Sequence, residues 1–183
     1  MSPKRKRTQG RRAPLVLGAL LVVAGALGAI AFLSTGGRSN NPIPISPTPV
    51  LTSSISESLQ AFRGKVVVLD IWATWCGPCR MEIPHFVQLQ EKYRDQGLEI
   101  VGVSIDPIDT RGGGAAAVAP FMERYKINYT IWMINNPNAL SGYPMGSGIP
   151  TTYVLNREGR ISKQYVGVPQ SLAVFENDIK ELL

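Results

Sequence analysis

Two cysteines three positions apart, Cys76 and Cys79, constrain this chain more than any other feature. The apolar, β-branched run before them, residues 65–72, predicts a buried strand. The residues after them place apolar side chains at helical spacing over about 79–96. The pair therefore lies at a predicted strand-to-helix junction. There, unpaired backbone N–H groups and the positive end of the helix dipole favour a thiolate on the first cysteine.

Four interpretations of the cysteine pair compete. A structural disulfide would close a very short loop and restrain the unfolded chain little. A zinc site needs about four ligands, so the single histidine, His85, and Glu82 would have to complete it in another geometry. Inert buried thiols would not account for the Gly77-Pro78 between the cysteines. Reversible disulfide exchange explains every position, with Cys76 attacking a substrate and Cys79 resolving the mixed disulfide.

The rest of the domain predicts an α/β fold with a central mixed sheet flanked by helices. Strands early in the domain alternate with helices, and a hairpin comes late. The three glycines of residues 112–114 indicate a flexible loop. We predict strands at 98–105, 129–134, 151–155 and 160–166, a hairpin turn at 156–159, and helices at 115–125 and, capped by Ser171, up to residue 183.

Residues 69–84, LDIWATWCGPCRMEIP, resemble the active-site stretch of thioredoxins. They are closer still to that of the TlpA/ResA-type membrane-anchored thioredoxin-like proteins. The resemblance covers about residues 50–183 and implies a thioredoxin-like fold and a thiol-disulfide oxidoreductase acting on protein dithiols and disulfides. It implies no metal and no cofactor beyond the redox-active disulfide Cys76–Cys79. It also implies substrate contacts at Trp75, Gly77 and Pro78, with Trp75 shielding the disulfide and Trp72 serving packing.

Further site residues follow from the same resemblance. Ile149-Pro150-Thr151 matches the family's cis-proline loop, which packs against the disulfide and presents backbone to the substrate. The alternative is a trans proline that opens a strand. Asp70, six residues before Cys76, matches the buried acid of thioredoxins that helps to deprotonate the second cysteine, and burial would raise its pKa. Many TlpA-like relatives lack this acid.

Glu82 matches an acid that follows the motif in ResA-like proteins and is expected to tune the thiols. The alternative is an exposed glutamate in the first helical turn that complements the helix dipole. His85 is a possible base by residue type, but we expect a solvated or packed helix residue there.

Positive charge is concentrated at the N-terminus. Six of the 19 Lys and Arg residues lie within residues 1–13, and the rest of the chain carries 13 basic and 13 acidic side chains. A nucleic-acid-binding domain needs a basic face on its folded part, so this distribution argues against nucleic acid as a partner. We expect residues 1–13 to form a basic cytoplasmic tail.

The uncharged run Leu15–Leu33 is about 28 Å long as a helix, close to the thickness of one bilayer core. We therefore expect one transmembrane helix, an anchor at 14–33, and then a proline-rich linker at 34–49. The positive-inside rule then gives a single-pass cell-membrane protein whose domain, residues 50–183, is extracytoplasmic. A cleaved signal peptide is the alternative, because Ala29-Ile30-Ala31 resembles a cleavage site, and it too exports the domain.

The expected direction of exchange is reduction, in cytochrome c maturation or another envelope thiol pathway, which the family resemblance supplies. Gly-Pro between the cysteines resembles reducing thioredoxins, and a reductant in an oxidising compartment needs a membrane electron donor. One alternative is a thioredoxin-fold peroxidase, but its Pro and Thr pattern before the reactive cysteine is missing. The other is a metal-carrying or redox-sensing dithiol adaptor, although His85 lies only six residues after Cys79.

Overall fold

The computed structural model of the protein describes residues 50, 51 and 53–183. The tail, anchor and linker that we predict within residues 1–49 lie outside these residues and stay predictions. In the part of the chain that the structure describes, no helix combines the length and the apolar character needed to cross a membrane.

The described residues form six strands and four α-helices. The strands are β1 Val50–Leu51, β2 Val66–Trp72, β3 Leu98–Ser104, β4 Thr130–Ile134, β5 Thr151–Leu155 and β6 Ile161–Val166. The helices are α1 Ile55–Ser58, α2 Gly77–Tyr93, α3 Val118–Tyr125 and α4 Leu172–Lys180. Short 3₁₀ turns occupy Leu59–Phe62, Arg94–Gln96, Thr110–Gly112, Gly114–Ala117 and Pro137–Leu140.

The strands form one mixed sheet in the order β1-β4-β3-β2-β5-β6. β1, β4, β3 and β2 run parallel to one another. β5 runs antiparallel to β2, and β6 runs antiparallel to β5. The predicted mixed sheet is confirmed. β2 is buried at all seven positions, as expected for a central strand covered on both faces.

The longest helix packs as its apolar spacing predicts. α2 buries Ile83, Phe86, Leu89 and Tyr93, which recur every three or four residues. The ring of Phe86 lies 5.8 Å from that of Phe175 in α4, measured between centroids. This contact joins α2 to the C-terminal helix.

Four helix boundaries differ from the prediction. α2 ends at Tyr93 rather than near residue 96, and α4 ends at Lys180 rather than residue 183. α2 starts at Gly77 rather than Cys79, because Cys76 is the capping residue. The helix predicted over 115–125 is α-helical only from Val118, and 3₁₀ turns precede it. Gly113 and Gly114 have φ of 103° and 65°, values that an α-helix does not accommodate. The glycine-rich segment thus forms 3₁₀ turns, and its predicted flexibility stays a prediction.

Candidate active site

Cys76, at the end of the connection between β2 and α2, forms a disulfide with Cys79 in the first turn of α2. Cys76 is the N-cap residue of α2, and its Sγ accepts a hydrogen bond from the Cys79 backbone N–H at 3.2 Å. Gly77 and Pro78, the first two helical residues, are exposed, whereas the cysteines are only 4% and 1% exposed. The Cys76 sulfur therefore lies where helix N–H groups stabilise a thiolate after reduction.

The loop before β5 lies against this disulfide. The Ile149–Pro150 peptide bond is cis, as predicted, and the Ile149 carbonyl oxygen lies 3.8 Å from Cys76 Sγ. The Thr151 hydroxyl donates to the Met145 carbonyl at 2.8 Å, which closes the loop on itself. The loop thus presents a main-chain carbonyl beside the more exposed of the two cysteines.

Strand pairing explains why these two loops meet. β5 runs antiparallel to β2, with Thr151 opposite Ile71. The start of β5 is therefore beside the end of β2, and residues that precede one strand lie near those that follow the other. This pairing also places Thr152 opposite Asp70.

Asp70 is a buried carboxyl group on β2, only 2% exposed. The Thr152 hydroxyl donates to its Oδ1 at 3.2 Å. Burial raises the pKa of Asp70 to about 7, and the hydrogen bond from Thr152 opposes that rise. The predicted burial and raised pKa of Asp70 are confirmed, and its carboxyl titrates in the range that a general base needs near neutrality.

Glu82 lies on α2 three residues after Cys79 and is 1% exposed. The alternative interpretation as an exposed first-turn glutamate is therefore wrong. Neither of its carboxyl oxygens has a hydrogen-bond partner among the described residues. Burial, reinforced by the nearby charge of Asp70, raises the pKa of Glu82 to about 9, so it is protonated at neutral pH. Both acids also help to raise the pKa of the buried Tyr129 hydroxyl, for which burial is the main cause.

His85 packs against α4. Its ring centroid lies 6.3 Å from that of Phe175. Burial lowers the pKa of His85, against the opposing effect of Glu176. His85 is therefore the packed helix residue that we expected. In residues 50–51 and 53–183, no group of three or more His, Cys, Asp or Glu side chains is arranged to hold a metal ion.

The two tryptophans that flank the redox loop have different surroundings. Trp72 is buried, with its ring 5.1 Å from that of Phe121, so its predicted packing role is confirmed. Trp75 is half-buried, and the Arg111 guanidinium carbon lies 3.8 Å from its ring centroid. A Cβ added to Gly112 would lie 2.9 Å from Trp75 Cδ1. The glycine-rich turns thus pack directly on Trp75, whose predicted shielding of the disulfide stays a prediction.

Asp106 is a site residue that the sequence analysis missed. It follows β3, is fully buried, and accepts hydrogen bonds from the Thr74 N–H at 3.0 Å, the Thr74 hydroxyl at 2.5 Å and the Ser104 hydroxyl at 2.8 Å. It thereby fixes the residue two positions before Cys76. The sequence did contain a signal for Asp106, because it directly follows a predicted strand. The carboxyl ends of neighbouring parallel strands meet at the sheet edge where α/β proteins place their sites.

A CxxC disulfide at a strand-to-helix junction, with a cis-proline loop against it on a mixed sheet, defines the protein as a thioredoxin-like thiol-disulfide oxidoreductase. Residues 52–164 match the model of the AhpC/TSA family, and the chain belongs to this family.

Named relatives agree with this class. Over 161 residues, 86% of each chain, the protein is 32% identical to the thiol-disulfide oxidoreductase ResA of Bacillus subtilis (strain 168). A structure from Chlorobium tepidum, titled a thiol:disulfide interchange protein DsbE, is 31% identical, with a TM-score of 0.58 over 68% of this chain and 84% of the other. A second, from Chlorobium tepidum TLS and titled a thiol:disulfide interchange protein of the thioredoxin family, is 30% identical, with a TM-score of 0.58 over 75% and 97%. The predicted thioredoxin-like α/β fold and the enzyme class are confirmed, and the transmembrane helix predicted before this fold stays a prediction.

Proposed function

We propose that the protein is a membrane-tethered reductant of disulfides in extracytoplasmic proteins, in cytochrome c maturation or a related envelope thiol pathway. The basic segment 1–13 and the uncharged run Leu15–Leu33 support the tether and the topology. The similarity to a ResA thiol-disulfide oxidoreductase supports the pathway. A membrane protein that passes electrons to Cys76 and Cys79 completes the cycle, because the outer compartment is oxidising.

One observation carries the exchange chemistry in this proposal: the Cys76 sulfur caps α2 and lies 3.8 Å from the carbonyl of the cis-proline loop. The helix N-terminus favours the thiolate of Cys76, which makes this cysteine the attacking nucleophile. The adjacent carbonyl gives a substrate polypeptide a main-chain acceptor beside the attacking sulfur. The attacking sulfur and the carbonyl that binds the substrate main chain thus lie side by side.

The reaction has two steps. The Cys76 thiolate attacks one sulfur of the substrate disulfide; a bond between Cys76 and the substrate forms, the substrate disulfide breaks, and the leaving sulfur takes the electron pair and then a proton. Cys79, deprotonated with Asp70 as the base, then attacks Cys76 Sγ. The Cys76–Cys79 disulfide forms and the second substrate thiol leaves. Two electrons pass from the protein to its substrate.

The reduction potential tests the direction of this reaction. We expect equilibration of the purified protein against dithiothreitol or glutathione buffers to give a value near that of thioredoxin, about −270 mV, and far from that of DsbA, about −120 mV. Cys79→Ser should accumulate a mixed disulfide with substrate, and Cys76→Ser should not react. A potential at the DsbA end would make the protein an oxidant, and the absence of a reversible two-electron couple would contradict thiol exchange itself.

A topology experiment tests the compartment. We expect a reporter enzyme that works only outside the cytoplasm to be active when fused after Leu183. A reporter that is active only in the cytoplasm would contradict the envelope role and leave the exchange chemistry intact.

A further inference from the structure

A cleft of about 220 Å³ opens beside the redox loop. Trp75 and Arg80, which flank the two cysteines in the sequence, form part of its wall. Phe121, Arg124 and Tyr125 of α3 form another part. The cleft therefore combines aromatic rings with two guanidinium groups, and Trp75 in its wall directly precedes Cys76 in the sequence.

The two arginines of the cleft keep their positive charge unpaired. Arg80 Nη2 donates to the Trp75 carbonyl at 3.1 Å, and the Arg124 guanidinium carbon lies 5.9 Å from the Tyr125 ring centroid. Within residues 53–183, neither arginine belongs to an ion pair. No carboxyl group lines the cleft. Because guanidinium groups match carboxylates in bidentate geometry, the cleft favours an anionic carboxylate as its occupant.

The rim of the cleft is held in place before any ligand arrives. Both carboxylate oxygens of Asp109 accept hydrogen bonds from Arg111, at 2.9 Å to Nε and 2.5 Å to Nη2. This pair holds the Arg111 guanidinium over the Trp75 ring. Arg111 is thus neutralised by its own partner, and Arg80 and Arg124 remain as the cations available to a ligand. Such preorganisation reduces the entropic cost of binding.

We propose that this cleft binds an acidic side chain, Asp or Glu, that lies beside the reacting cysteine in the polypeptide substrate. The proposal rests on the proposed function, because the occupant is a protein whose disulfide reacts with Cys76. Since the cleft adjoins the redox loop, a residue that flanks a bound substrate cysteine reaches it. Arg80 and Arg124 select substrates by charge, and the aromatic rings contact the neighbouring side chains.

The test uses two disulfide-containing peptides that differ only by Glu or Gln next to one cysteine. The reduced full-length protein reacts with each peptide at low salt, and the second-order rate constants are compared. We expect the Glu peptide to react about tenfold faster, at the lower end of electrostatic effects on association rates. The preference should shrink to about twofold in Arg124→Gln and at high salt. The matched control, Lys180→Gln, changes an exposed cation on α4 outside the cleft and should keep the preference.

The outcomes separate this proposal from the function on which it rests. Equal rates for both peptides in the wild-type protein would overturn the cleft assignment and leave thiol exchange standing. A preference that persists in full in Arg124→Gln would also overturn the assignment. Failure to reduce either peptide, together with failure to reduce oxidised glutathione, would overturn both proposals.

Discussion

Replacing Glu82 by Gln tests the charge state of the acid that has no hydrogen-bond partner. The pKa of Glu82 is raised from 4.5 to about 9 by burial and by the charge of Asp70. A carboxyl whose folded-state pKa is raised contributes stability that is fully present below its unfolded pKa. That contribution is lost as the pH rises towards the folded pKa. Between pH 4.5 and 9 the wild-type protein should therefore lose stability that the variant, which cannot ionise at this position, retains.

The size of this effect follows from the shift. One pKa unit corresponds to about 1.4 kcal/mol, so the 2.5 units between 4.5 and pH 7 amount to about 3 kcal/mol. The absolute stability of Glu82→Gln also depends on how its unpaired amide is accommodated. The informative quantity is therefore the difference in unfolding free energy between variant and wild type, and we expect it to rise by about 3 kcal/mol in favour of the variant from pH 4.5 to pH 7.

Urea unfolding of the oxidised protein, followed by tryptophan fluorescence across this pH range, measures the difference. The matched control is Glu91→Gln, which changes an exposed glutamate on the same helix and should give a curve parallel to that of the wild type. If Glu82→Gln also ran parallel to the wild type from pH 4.5 to pH 7, Glu82 would ionise normally and the argument from its burial would fail.

Three further substitutions test other parts of the site. In the wild-type protein, the rate at which Cys79 resolves the mixed disulfide should rise with pH, with a midpoint near 7, and Asp70→Asn should remove this rise. Single-turnover release of the substrate thiol measures this rate. An unchanged pH profile would exclude Asp70 as the base. Asp106→Ala should lower the urea unfolding free energy by about 1–3 kcal/mol, because it leaves the Thr74 N–H and hydroxyl unpaired; a neutral result would mean that water replaces the carboxylate. Gly102→Ala should lower the unfolding free energy by about 1–3 kcal/mol in the same assay, because its Cβ would lie 2.6 Å from Ile131 Cδ1. The control Gly77→Ala, whose Cβ would have no atom within 4 Å, should lower it far less. Equal losses of stability in the two variants would refute the steric argument.

The central strand and the redox helix were predictable because their signals are local. β2 is buried on both faces, so its sequence is a continuous apolar run. Cys76 and Pro78 mark the start of α2, and Gly97, with φ of 99°, ends the turn that follows it. Each of these features depends on residues close together in the chain. No long-range contact had to be known to place them.

The elements that the sequence did not predict are too short or too dependent on distant contacts. β1 has two residues and α1 has four, fewer than the window in which periodicity becomes visible. Asp106 binds Thr74 across 32 residues, and only the parallel pairing of β2 with β3 brings them together. The position of Asp106 directly after the predicted strand was visible in the sequence, but its hydrogen-bond partner Thr74 was not.

The exposed position that we considered for Glu82 is wrong because two sequence signals disagreed: its helical spacing indicated a buried position, and its charge indicated an exposed one. It lies four residues before Phe86 and seven before Leu89, so it shares the buried face of α2 with them. Its charge nevertheless favoured an exposed position, since glutamate is seldom fully buried without a partner. The protein accommodates it by keeping it protonated, which removes most of the cost of burying a charge.

The two buried acids, Asp70 on β2 and Glu82 on α2, therefore differ in their protonation behaviour. Asp70 has one hydrogen-bond donor and a pKa of about 7, whereas Glu82 has no partner and a pKa of about 9. Asp70 ionises first as the pH rises, and its negative charge is then one of the two causes that keep the proton on Glu82. Near neutral pH Asp70 exchanges a proton more readily than Glu82, which favours Asp70 as the proposed base for Cys79. It follows that Asp70→Asn should also lower the pKa of Glu82, and the pH-dependent loss of stability assigned to Glu82 should then level off at a lower pH.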